Sequence, residues 1–168
     1  MGLLVGTITT TGNVSLTAST GGITDDETAG AGDVVDISAA TLTLTARTGV
    51  SSLETAVSTL NATVSAGGVS LKETAGGVLI GSVTASGDVS LEVTGDITAQ
   101  SGVVNISGQN LVLNASGAIG NATAVLSTAV NTLTVSNASS VTLSDAGDLS
   151  VQTVVSGGAV SLTAGAGL

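Results

Sequence analysis

The sequence predicts an all-β fold: a parallel β-helix, or β-solenoid, with about 20 residues in each coil. Three observations predict it. Short apolar runs alternate with polar residues at period two. Phrases recur at fixed spacings along the chain. The apolar complement is small and contains no aromatic residue, so it fills only a narrow interior. Apolar residues occupy 42% of the 168 positions and charged residues 8%, and Phe, Tyr, Trp, Pro, His and Cys are absent.

A short strand is expected before Gly12, followed by Val14-Ser15-Leu16. Further apolar positions alternate at Val35/Ile37, Leu42/Leu44, Val69/Leu71, Val89/Leu91/Val93 and Val104/Ile106. The series continues at Leu111/Leu113, Leu133/Val135, Val141/Leu143 and Val160/Leu162. Between these lie Asp36, Thr43, Ser70, Ser90, Asn105, Val112, Thr134, Thr142 and Ser161, which alternation places on the outside. Gly-rich breaks at Gly21-Gly22, Gly30-Ala31-Gly32, Gly67-Gly68, Gly76-Gly77 and Gly157-Gly158 separate the runs. Residues 51–64 and 121–133 lack glycine and permit a helical alternative, but their Val, Thr and Ser favour strand.

The repeats have two lengths. Val-Ser-Leu recurs at Val14, Val69, Val89 and Val160, and two of these copies lie about 20 residues apart. A longer phrase pairs residues 36–46 with 105–115 at an offset of 69. Thr55-Ala56-Val57-Ser58-Thr59-Leu60 matches Thr128-Ala129-Val130-Asn131-Thr132-Leu133 at an offset of 73. A beat near 20 residues is one coil of two or three strands with corners. A sandwich core would call for aromatic residues, whereas stacked coils satisfy their backbone groups around a thin bore. Eight such coils at ~4.8 Å make a rod about 40 Å long. The last phrase stops at Ala164-Gly165-Ala166-Gly167-Leu168, so residues 1–168 are expected to be one solenoid segment of a longer repetitive protein.

The phrases Gly12-Asn13-Val14-Ser15-Leu16-Thr17-Ala18, Gly87-Asp88-Val89-Ser90-Leu91 and Asn110-Leu111-Val112-Leu113-Asn114-Ala115-Ser116-Gly117 resemble filamentous-haemagglutinin-type repeats. Those repeats occur in large bacterial secreted and surface adhesins. The resemblance runs from about Thr7 to Ala164. It implies a right-handed parallel β-helix serving as a non-enzymatic stalk or display rod, outside the cell or on its surface. The implied partners are flanking repeats of the same polypeptide and host-cell or matrix glycans or proteins. Residues 1–168 contain no phrase resembling that family's amino-terminal secretion domain or carboxy-terminal anchor, so export of this segment by itself is not expected.

Composition excludes several kinds of chemistry. Without His or Cys there is no usual zinc site and no Ser-His-Asp or Cys-His catalysis. Arg47 and Lys72 are the only cations, against a formal net charge of −10, so nucleic acid and anionic membrane are repelled. No apolar run reaches 18 residues, and the aromatic girdles of a membrane barrel are missing, so no membrane insertion is expected. Lys72 beside Glu73 is expected to form at most a weak exposed pair.

No catalytic, cofactor or metal residues are assigned. Asp25-Asp26-Glu27, with Asp33 and Asp36, could offer oxygens to calcium, but no Gly-Gly-x-Gly-x-Asp repeat occurs and a solvated acidic loop is the reading preferred. Asp145 with Asp148, and Asp88, Glu92 and Asp96, are the acidic pairings a carbohydrate-active β-helix would need, without its aromatic sugar platforms. Thr41, Thr43 and Thr45 put three hydroxyls on one face, as a polysaccharide- or ice-binding solenoid would. That ladder should recur from coil to coil, yet the repeat partner of these residues is Asn110, Val112 and Asn114.

Overall fold

The computed structural model describes residues 1–26 and 34–165. It contains strands and no helix among these residues. In chain order they are β1 (Leu3–Val5), β2 (Ile8–Thr9), β3 (Asn13–Ala18), β4 (Ile23–Asp25), β5 (Ile37–Ala46), β6 (Val50–Val64), β7 (Val69–Ala85) and β8 (Val89–Ala99). They continue as β9 (Ile106–Ser107), β10 (Asn110–Ala115), β11 (Ala118–Ile119), β12 (Leu126–Ala129), β13 (Thr132–Asn137), β14 (Ser140–Asp145), β15 (Ser150–Val154) and β16 (Val160–Ala164). The segment that admitted a helix at 51–64 is β6, and 121–133 holds β12 and the start of β13. Within these strands the β-branched residues prevail because the backbone pairs with a rung one coil away, whereas Asn121 and Ala124 bond each other locally.

All pairings are parallel and belong to one 16-stranded sheet, the signature of a solenoid. One stack runs through eight rungs: Leu3, Ile23, Val50, Val69, Val89, Leu111, Leu133 and Val151. A second stack begins Val14, Leu42, Leu60 and Ile80 and ends with Ile97, Ile119, Val141 and Val160 in the neighbouring column. The apolar part of the core between the stacks is made of Val, Leu, Ile and Ala, with Leu42, Leu44, Ile97, Leu111 and Leu133 among its fully buried members. A bore this thin needs no aromatic side chain.

The two repeat lengths fit together geometrically. An offset of about 70 residues is about three and a half coils of 20. Equivalent phrases therefore land on alternate stacks. Thr41–Thr45 lies on the second stack, whereas Asn110–Asn114 lies on the first. Likewise Val69–Glu73 lies on the first stack and Val141–Asp145 on the second.

Three local expectations are corrected. Asp36 and Asn105 do not point outward: they are buried, at 2% and 0% exposure. Both stand at the corner just before the first strand residue that follows, Ile37 or Ile106, outside the strand to which period-two alternation applies. Gly76-Gly77 is no break between strands but lies inside β7, where the register slips between Glu73 and Gly76. Gly76 has φ +102° and pairs with Gly95 at φ +126°, where an added Cβ would strike the Gly76 backbone. Val160 is 47% exposed, although Val141 beneath it is fully buried, because only one rung covers it.

Candidate functional site

The polar chemistry concentrates at two corners, one in each half of the chain. At the first, Asp36 folds its side chain under the next rung. Its N–H donates to the Glu54 carbonyl at 2.9 Å, and its Oδ2 accepts the Glu54 N–H at 2.9 Å. One rung on, Thr55 Oγ1 donates to Glu73 Oε2 at 2.8 Å. Glu73 Oε2 also accepts the Val57 N–H at 3.0 Å, and Oε1 accepts the Ala75 N–H at 2.9 Å. Glu73 is 4% exposed, and burial pushes its carboxyl above the ordinary value against these opposing hydrogen bonds.

The second corner repeats this scheme. Asn105 donates its N–H to the Ser127 carbonyl at 2.8 Å, and its Oδ1 accepts the Ser127 N–H at 3.0 Å. Thr128 Oγ1 donates to Asp145 Oδ2 at 2.7 Å, and the Val130 N–H donates to the same oxygen at 3.0 Å. The Gly147 N–H reaches Asp145 Oδ1 at 2.9 Å. Each acid therefore takes one hydroxyl and two backbone donors, which satisfies the polar groups where the strand bends.

The corners differ in what faces the first residue. Asn105 Nδ2 lies near three carbonyl oxygens, those of Ile80 at 3.0 Å, Gln100 at 2.9 Å and Gly81 at 3.3 Å. Asp36, when ionised, has no donor to give. Carboxylate oxygens of Asp25, Asp36 and Glu54 lie within 4.8 Å of one another. Burial first, then the charges of Asp25 and Glu54 and a hydrogen bond with Asp25, push the Asp36 carboxyl up to about 6 from 3.8, despite the Glu54 N–H. These three acids could hold a hard cation through oxygen, although calcium takes six to eight ligands. Of the acids grouped from sequence, Asp25 and Asp36 come together, Asp26 stands exposed on the rim, and Glu27 and Asp33 lie outside the described residues. Glu54 was not singled out by sequence. It arrives through the parallel register, 18 residues beyond Asp36.

The other acidic pairings do not form facing carboxylates. Asp145 is buried in the corner network, whereas Asp148 is exposed. Asp88 Oδ1 accepts the Asn110 N–H at 3.2 Å and its Nδ2 at 2.8 Å, and Asp96 Oδ1 accepts the Ala118 N–H at 2.7 Å. Both cap the rung above. Lys72 and Glu73 point to opposite faces as strand neighbours, so they are no pair, and Lys72 stands in register between Glu54 and Glu92. The Thr41–Thr45 row sits between Asn13/Ser15/Thr17 and Thr59/Asn61/Thr63, all exposed or half-buried. The neighbouring rows are polar but mixed, with Asn13 beside Thr41 and Asn61 beside Thr43, and Leu79 follows Thr59 on the next strand, so the hydroxyl ladder does not run from coil to coil.

A signal for the buried acids was present in sequence. Thr55-Ala56-Val57 and Thr128-Ala129-Val130 are each followed by an acid, Glu73 or Asp145, with Ala75 or Gly147 two residues beyond. The chain matches no family model, and no curated protein or solved structure is significantly similar to it.

Proposed function

We propose that this chain is a non-enzymatic structural segment of a large bacterial secreted or cell-surface protein, acting as a stalk or display rod outside the cell. The resemblance to filamentous-haemagglutinin-type repeats supports this reading. The observation that carries it is the unbroken first stack, in which every strand from β4 to β13 is hydrogen-bonded to a rung on each side. Such a rod transmits length and stiffness through backbone bonds, without a large core. Flanking repeats of the same polypeptide, and host glycans or proteins, are the partners of that role. Asp88, Asp96 and Asp145 accept backbone N–H groups of neighbouring rungs, a use of these acids that holds the rod together. The test is single-molecule pulling of the chain between two marker domains. A stalk should extend with one rigid contour up to a sharp unfolding event. Gradual rung-by-rung yielding at low force would overturn the reading.

The threonine rows favour a second reading, a ligand-binding solenoid for ice or a polysaccharide. Three adjacent strands present Ser, Thr and Asn in register with no charged side chain among them. Thermal hysteresis in a freezing assay that disappears on Thr43→Tyr would favour it. Its absence at high protein concentration removes ice as the ligand.

A further inference from the structure

The chain contains Asn-x-Ser/Thr triplets at Asn13, Asn61, Asn105, Asn114, Asn121 and Asn137. Such a triplet is the acceptor sequence for N-linked glycosylation when it lies in a surface loop. In a chain this rich in Asn, Ser and Thr the triplets also arise by chance, and the fold is what separates them.

Five of them are held by the rungs. Asn13, Asn61, Asn114 and Asn137 lie in β3, β6, β10 and β13, and Asn105 is buried just before β9. In an extended strand residues i and i+2 stand about 6.6 Å apart on one face, so asparagine and hydroxyl run side by side without meeting. Several of these amides are also engaged within the fold. Asn61 Oδ1 accepts the Ser82 N–H at 3.1 Å, Asn137 Nδ2 donates to the Ala115 carbonyl at 3.0 Å, and Asn105 Nδ2 faces the carbonyls below it.

Asn121 differs on each count. It lies between β11 and β12, outside the ladder, and Asn121, Ala122 and Thr123 are all exposed. The Asn121 N–H donates to the Ala124 carbonyl at 3.0 Å and the Ala124 N–H to the Asn121 carbonyl at 3.2 Å, which folds the segment into a turn. The turn brings Thr123 Oγ1 to Asn121 Oδ1 at 2.8 Å, and the Thr123 and Ala124 N–H groups reach the same oxygen, each at 2.9 Å. Nδ2 donates to no group among the described residues. Three donors on the amide oxygen draw electron density from the nitrogen and make its protons more acidic, which is the activation a weak amide nucleophile needs.

We infer that Asn121 is an acceptor for N-linked glycosylation, taking one sugar from a donor activated as an anomeric phosphate ester and delivered by a separate glycosyltransferase. Nδ2 gives one proton to a base of that enzyme and forms the bond to the anomeric carbon. The bond from that carbon to the phosphate oxygen breaks, the phosphate ester leaves with the electron pair, and Oδ1 remains a carbonyl oxygen. The inference rests on neither functional reading above.

The test is incubation of the folded chain with UDP-glucose and a transferase that recognises Asn-x-Ser/Thr, with the product located by mass spectrometry. A synthetic peptide of residues 118–127 shows that the transferase is active. One hexose is expected on Asn121, with the other five asparagines unmodified. Asn121→Gln and Thr123→Ala should each lose it with an unchanged far-UV circular dichroism spectrum, whereas Thr123→Ser, which keeps a hydroxyl, should retain it. A folded chain without hexose on Asn121, hexose spread equally over the strand triplets, or full modification of Thr123→Ala would each overturn the inference.

Discussion

The corner at Asp36, Thr55 and Glu73 and the corner at Asn105, Thr128 and Asp145 use the same hydrogen bonds on alternate stacks. The Ile8 N–H reaches the Asp36 carbonyl at 2.6 Å, and the Val83 N–H reaches that of Asn105 at 2.7 Å. In both, a buried acid accepts one threonine hydroxyl and two backbone donors. They part at a single side chain. An amide both accepts and donates, so Asn105 satisfies the next rung and the carbonyls below it together. A carboxylate only accepts, so Asp36 meets Asp25 and Glu54 with like charge. The same backbone position is a closed joint in one half and a proton-dependent one in the other.

Exchanging these residues should break the comparison most sharply. Asn105→Asp places carboxylate oxygens against the Ile80 and Gln100 carbonyls, with an expected cost of about 3–5 kcal/mol at pH 7 by urea denaturation. Equal losses on that assay are expected for Glu73→Ala and Asp145→Ala, about 3 kcal/mol each, since each strands two backbone donors. A marked inequality would mean that the two acids do not hold equivalent joints.

The reverse exchange, Asp36→Asn, should stabilise the chain at neutral pH. Because the folded carboxyl is raised from 3.8 to about 6, the folded state holds this proton more tightly than the unfolded chain. The stabilisation is complete below about pH 4 and is lost as pH rises through about 6, with a ceiling of about 3 kcal/mol. Thermal melts from pH 4 to 7 should show that decline in the native chain and a flatter profile in Asp36→Asn. A native profile identical to that of the variant would remove Asp36 from the account. The smallest effects are expected from Thr55→Val and Thr128→Val, about 1 kcal/mol each in parallel melts, as one hydroxyl donor is lost to an acid that keeps its backbone partners.

Strand positions at Leu42/Leu44, Val89/Leu91 and Leu111/Leu113 were legible because period-two alternation holds wherever the backbone is extended. The corners were not. Asp36 and Asn105 sit where that period lapses, and Glu73 reads in sequence as the neighbour of Lys72 although a strand turns the two to opposite faces. Glu54 joins the acidic corner only through a contact between rungs, which local spacing does not express.

Local chemistry alone therefore determined the strands, the coil length near 20 residues and the aromatic-free bore, because alternation and side-chain volume act within a few residues. Winding decided which residues became neighbours. A repeat of about three and a half coils sends like phrases to alternate stacks, so Thr43 meets Ser15 and Asn61 rather than Val112. The same winding brings Asp25, Asp36 and Glu54 together, since contact across parallel rungs depends on the accumulated length of each coil and not on sequence proximity.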